Sequence, residues 1–141
     1  MRKTELVELL GRVPLFSECT KTDIRSVMRH SEELRADAGT DIVTQGRPGR
    51  VFYLLLHGEA EVRRNARRVA VLGPGDFFGE LALLDPGPRN ATVTATTDVT
   101  LLAISDRMLQ VALRDLPRMR RGMLSSMAGR LRDLDRSGST T

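Results

Sequence analysis

One segment of the chain holds the residue types of an anion site at a workable spacing. Phe77-Phe-Gly-Glu-Leu-Ala-Leu-Leu-Asp-Pro-Gly-Pro-Arg-Asn-Ala-Thr-Val93 interrupts a strand-rich sequence with a helix-forming run from Gly79 to Leu84. A short helix opened there leaves its first amides without intrahelical partners. Together with the positive end of the helix dipole, those amides attract an anion. Gly79 lets the main chain come close, because no Cβ stands in the way. Arg89 follows the sharp Pro86-Gly-Pro88 loop and can fold back over the same point, and its planar fork suits phosphate oxygens. Glu80 is acceptor-only, which beside an anion is costly unless a donor such as a sugar hydroxyl meets it. Together these residues describe a pocket for a sugar phosphate. The competing reading is a Glu80–Arg89 ion pair that holds a loop and binds nothing.

The surrounding elements must position that segment. Leu6, Val7, Leu9 and Leu10 form an apolar helical stripe stopped by Gly11, and Val13-Pro-Leu-Phe16 follows as a compact apolar turn,. Thr20 with Asp23 predicts a capping box opening a second helix to about His30, with Ile24, Val27 and Met28 on one face. From residue 32 the pattern changes to short strands: 40–44, 51–57, 59–62, 69–72, 91–95 and 99–104, separated by glycine, proline and asparagine turns,. The nearly all-apolar Val51–His57 is expected to be buried on both faces or in a barrel wall. This texture indicates an antiparallel sandwich or barrel rather than a parallel α/β sheet. Helical periodicity returns after Ser105, with Met108, Leu109, Ala112 and Leu113 on one face. Pro117 opens a last helix to about Asp135, along which Met123, Met127, Leu131 and Leu134 recur,.

Composition excludes several classes. With 141 residues the chain makes one compact domain,. Its longest apolar run, Val51–Leu56, falls far short of the roughly 20 residues that span a bilayer, and the N-terminus has no apolar signal core. No membrane association is expected. Cys19 is the one cysteine and His30 and His57 the only histidines. A disulfide framework and a protein-built metal site are therefore not expected, and a reducing cytoplasm is the expected location. No nucleophile–base pair can be assembled, so the chain reads as a non-enzyme. The net charge of +4 is concentrated in residues 117–136, whose six arginines and two aspartates account for all of it. No DNA-binding domain is visible, and the arginine-rich last helix reads as a solvated face. The Arg63–Arg68 cluster reads as a solvated hairpin loop.

Residues 78–93 resemble the phosphate-binding cassette of cyclic nucleotide-binding domains, as found in catabolite-activator-type regulators, protein kinase regulatory subunits and gated channels. Val13-Pro-Leu-Phe16, Gln45-Gly46, Gly49, Phe52-Tyr53, Gly58 and Val62 resemble that family's barrel glycines and apolar positions. The resemblance covers the chain to about residue 135. It implies an α+β fold: an antiparallel jelly-roll β-barrel with an inserted short phosphate-binding helix, flanked by N-terminal helices and two C-terminal helices. Helices would occupy 1–30, the barrel 31–104 and the C-terminal helices 105–135, with 136–141 a mobile tail. By the same resemblance Gly79 and the amides of Glu80, Leu81 and Ala82 would contact a cyclic phosphate. Arg89 would pair with its charge and Glu80 would accept the ribose 2′-hydroxyl. Asn90 and Ala91 would lie against phosphate and base, and Arg130 or Leu134 of the last helix would close as a lid. The ligand implied is cAMP, with cGMP the alternative because Asn90 stands where the family usually has a small or hydroxylated residue. No further cofactor is implied. Two functions follow: a sensor module whose C-terminal helix moves on binding, or a non-binding barrel used for association. Either could be the N-terminal regulatory part of a longer transcription regulator or enzyme. The Met123/Met127/Leu131/Leu134 stripe reads as core or as a homodimer seam rather than a binding lid.

Overall fold

Caps and turns set where the elements begin and end. The computed structural model describes residues 2–79 and 88–138, with side chains through Arg132. Helix α1 (Lys3–Gly11) buries Leu6, Val7 and Leu10, and a 3-10 turn, Pro14–Phe16, buries Leu15 and Phe16. Helix α2 (Lys21–Met28) opens on the expected capping box: Thr20 Oγ1 accepts from the Asp23 amide and the Asp23 carboxylate from the Thr20 amide, each at 3.1 Å,. It ends at Met28, short of the expected His30.

Eight strands follow among the described residues: β1 (Ser31–Ala36), β2 (Asp41–Val43), β3 (Val51–His57), β4 (Ala60–Arg64), β5 (Arg67–Leu72), β6 (Phe77–Phe78), β7 (Thr92–Ala95) and β8 (Val99–Ser105). All their pairings are antiparallel. They form two four-stranded sheets, in the orders β1-β8-β3-β6 and β2-β7-β4-β5, which make the jelly roll. Strand β1 is new relative to the sequence reading. Ser-Glu-Glu-Leu-Arg-Ala has no β-branched residue, and its strand state comes from pairing with β8 from Ser31↔Ile104 to Ala36↔Val99,.

The strand period of two divides the apolar residues between two cores. Phe52, Leu54 and Leu56 of β3, Phe77 of β6, and Leu102 and Ile104 of β8 pack with the helices. Leu55, Phe78, Leu101 and Val99 pack instead between the sheets, with Ala60, Leu72, Val93 and Ala95. The central strands are thus buried on both faces, which is why Val51–His57 is nearly all apolar.

Helix α3 (Asp106–Asp115) is capped by Ser105, whose Oγ accepts from the Met108 amide at 3.2 Å,. Helix α4 (Pro117–Gly138) runs past the expected end at Asp135. The expected apolar stripe divides, with Met123 and Met127 packing in the core and Leu131 outside it. Met119 is fully buried and Met123 5% exposed, whereas Leu124 and Leu131 are more than 60% exposed. The physical reason is drift: each four-residue step advances about 40° around a helix of 3.6 residues per turn. Met123 therefore faces its own core while Leu131 has turned out to solvent, and Met123 cannot belong to a dimer seam. The Leu134 side chain lies outside the described residues. The arginine face is also less idle than expected. Arg118 lies 3.7 Å from Asp23 and Arg121 3.8 Å from Glu18. Arg120 Nη1 donates to the Leu113 carbonyl in the last turn of α3 at 2.8 Å,. Exposed pairs like these contribute little individually. The position of α4 is set rather by Gly122, where a Cβ would collide with the Leu15 carbonyl of the 3-10 turn.

A matched pair of substitutions tests that seat. Gly129 has open space, with the nearest atom 4.0 Å from an added Cβ. Gly129→Ala should stabilise by about 0.5–1 kcal/mol through helix propensity. Gly122→Ala should destabilise by about 1–3 kcal/mol through overpacking against backbone. Urea midpoints moving in opposite directions are the expected result.

Candidate functional site

Three stretches of backbone converge on Arg89. The turn after β2 receives its main chain: the Arg89 amide donates to the Arg47 carbonyl and the Gly46 amide to the Arg89 carbonyl, both at 2.8 Å. Pro48 and Pro88 form a bridge beside them. The start of β3 receives its side chain, with Nη2 donating to the Val51 carbonyl at 2.7 Å. The end of β6 closes the other side through Gly79.

Two glycines make room for the guanidinium. A Cβ on Gly49 would fall on it, within 2.6 Å of both Cζ and Nη2. A Cβ on Gly79 would lie 2.6 Å from the Val51 carbonyl oxygen and 2.8 Å from Nη1. Gly79 also has φ +94°, a left-handed conformation that side chains resist. Arg89 Nε is buried and has no hydrogen-bond partner among the described residues. A buried, unpartnered donor on a cation is expensive, and the natural remedy is an acceptor brought in from outside. The arrangement is therefore suited to receiving an anion.

Of the other residues singled out in the sequence, Asn90 is exposed and Ala91 is buried, both next to Arg89. Glu80, Leu81 and Ala82 lie outside the described residues, as does the inserted helix. Arg130 comes to the same region from α4. Its guanidinium stacks over the Phe77 ring, 4.1 Å from the centroid, and Nη2 donates to the Phe77 carbonyl. Phe77 and Phe78 lead directly into Gly79, so α4 touches the strand that feeds the site. Sequence reasoning placed Gly49 among the barrel glycines without a role beside Arg89, and missed the Val51 carbonyl altogether. The turn signal Arg47-Pro-Gly49 was visible, but only the fold places it under Arg89.

The remaining reactive groups stand elsewhere. His30 and His57 are exposed. The Cys19 thiol is pushed up to about 11 by burial and then by Asp23, so it is protonated at neutral pH,. A cavity of about 130 Å³ between α2, β8 and α3, lined by Ser26, His30, Met108 and Asp115 among others, shares no residue with the Arg89 cleft. No metal-ligand cluster occurs among the described residues, nor is any helix there long and apolar enough to cross a membrane.

The tight fit predicts a coupling. Gly49→Ala should displace the guanidinium and cost about 1 kcal/mol, the scale of the lost Val51 hydrogen bond. Made in an Arg89→Ala background it should cost almost nothing, a difference that denaturant unfolding of the four proteins in a double-mutant cycle would register.

Comparison with known proteins bears on the chain as a whole. The family model described as cyclic nucleotide-binding domain matches residues 33–115. The CRP-like cAMP-activated global transcriptional regulator of Mycobacterium tuberculosis is 28% identical over 89% of this chain and 58% of its own length. The cAMP-dependent protein kinase regulatory subunit of Schizosaccharomyces pombe is 39% identical over 82% of this chain and 30% of its own. Among solved structures, Thermus thermophilus catabolite activator protein superposes with a TM-score of 0.80 at 30% identity, covering 90% of this chain and 62% of that one. The chain thus spans less than two thirds of the length of these relatives.

Proposed function

The chain belongs to the cyclic nucleotide-binding domain family, and we propose that it is a cAMP-binding regulatory module. The observation that carries this reading is the Arg89 guanidinium, held by Val51 between Gly49 and Gly79 with a buried Nε that has no hydrogen-bond partner among the described residues. Arg89 would pair with the cyclic phosphate, alongside Gly79 and the amides of Glu80, Leu81 and Ala82, and Glu80 would accept from the ribose 2′-hydroxyl. Asn90 and Ala91 would lie against the phosphate and the base. The choice of cAMP over cGMP is supported by relatives named for cAMP, in the mycobacterial regulator and in the fission yeast kinase subunit. The role is regulatory rather than catalytic, in keeping with both relatives. No cofactor enters the reading.

Calorimetric titration with cAMP and cGMP tests it. The chain should bind cAMP more tightly than cGMP. Arg89→Ala should lose about 2–5 kcal/mol of affinity, because the phosphate charge stays desolvated without its cation. Absence of binding to either nucleotide would favour the association reading, in which the barrel serves as a contact module.

Output would pass through α4. Arg130 joins that helix to Phe77, two residues before the glycine that lines the site. A ligand at Gly79 can shift α4 only by binding one of its positions more tightly than the other. Leu124 and Leu131 give α4 an exposed apolar stripe at heptad spacing, which supports a homodimer contact through this helix. Hydrogen exchange should therefore show α4 protection that changes with cAMP and falls on dilution. Protection that falls on dilution yet ignores cAMP would remove the switch and leave the pocket in place.

A further inference from the structure

We infer that Gln45, which lies outside the phosphate cassette, is a positioning residue for Arg89, acting through a latch to the β4–β5 hairpin. Gln45 Nε2 donates to Asn65 Oδ1 and Gln45 Oε1 accepts from the Asn65 amide, each at 2.8 Å. Both ends of one carboxamide are thus satisfied by one residue. The Gln45 amide also donates to Thr92 Oγ1 at 2.9 Å. The next two residues, Gly46 and Arg47, make both main-chain hydrogen bonds of Arg89. The turn that holds Arg89 is itself exposed at Gly46, Arg47 and Pro48. Its side-chain anchor to the rest of the barrel is Gln45.

The other end of the latch needs holding too. The hairpin tip is Asn65-Ala66, with φ of 53° and 66°. Arg63 stands opposite Arg68, and Arg64 opposite Arg67. Like charges directly across a ladder repel. Glu61 relieves one pair, at 2.8 Å from Arg63 and 3.8 Å from Arg68. Gln45 thus fixes the end of a self-repelling hairpin and borrows its rigidity for the turn under Arg89. A turn free to move would spread Arg89 over several positions, and ordering it again would be charged against ligand affinity.

The inference rests on the reading of Arg89 as the phosphate ligand, so the test has one arm without ligand. Two variants are made, Gln45→Ala and Asn65→Gly. The second removes only the Oδ1 acceptor and suits the left-handed backbone of the tip. In the nucleotide-free protein, amide exchange at Gly46 and Arg89 should accelerate about tenfold in Gln45→Ala and about threefold in Asn65→Gly, the scale of two neutral hydrogen bonds and of one. The core amides of Leu54 and Leu102 should be unchanged. The affinity for cAMP should fall by similar factors. Unchanged exchange at Gly46 and Arg89, or faster exchange with undiminished affinity, would overturn the inference, as would acceleration shared equally by Leu54 and Leu102. A parent protein whose exchange follows the latch but which takes up no cAMP would overturn the reading of the pocket instead.

Discussion

A guanidinium held in a cleft must have its donors met, and the architecture around Arg89 follows from that constraint. The Val51 carbonyl takes one N–H. Gly49 and Gly79 stand where a side chain would push the group away, and a donor remains buried without an acceptor among the described residues. A lysine would meet the same charge requirement without matching the planar slot between the glycines. The main chain of Arg89 is fixed independently, by the turn at Gly46 and Arg47. Backbone and side chain are thus secured from different elements, which limits the freedom of the cation before any ligand arrives.

The same strands tie this cleft to the helices. Val51 begins β3, and the next residue, Phe52, lies in the helical core with its ring centroid 5.4 Å from that of Phe77. On the opposite face Tyr53 stacks on Phe78 at 5.1 Å. Phe77 is in turn covered by Arg130 of α4. Strand β6 is therefore a junction. Its two phenylalanines enter different cores, its last bond leads to Gly79, and its carbonyl holds the last helix. The strand that leads to Gly79 is thus packed on both faces by aromatic rings, which resist small deformations,.

The legible parts of the fold were those governed by local rules. The Thr20–Asp23 capping box, the return of helix after Ser105, the Asn65 turn and the two-faced burial of Val51–His57 all follow from residue type and period. Strand β1 was not legible, because Ser-Glu-Glu-Leu-Arg-Ala has no strand propensity and takes its state from β8 alone. Strand β6 was hidden because two residues carry no period. The α4 stripe misled because a four-residue recurrence looks regular in sequence yet rotates steadily around a helix. At the site, Gly79 and Arg89 were legible from their chemistry. Gly49, Val51 and Gln45 were not, because each contributes through a distance across the barrel that sequence spacing does not record.

The most direct test of the account is the Arg89 side-chain Nε–H itself, followed by NMR with ¹⁵N-arginine label and assigned by comparison with Arg89→Lys. Without nucleotide this N–H has no acceptor among the described residues. On saturation with cAMP its resonance should move downfield and its exchange with water should slow, as expected when a charge-assisted hydrogen bond forms. A resonance that stays in place while other signals report bound cAMP would put the phosphate elsewhere and contradict the account.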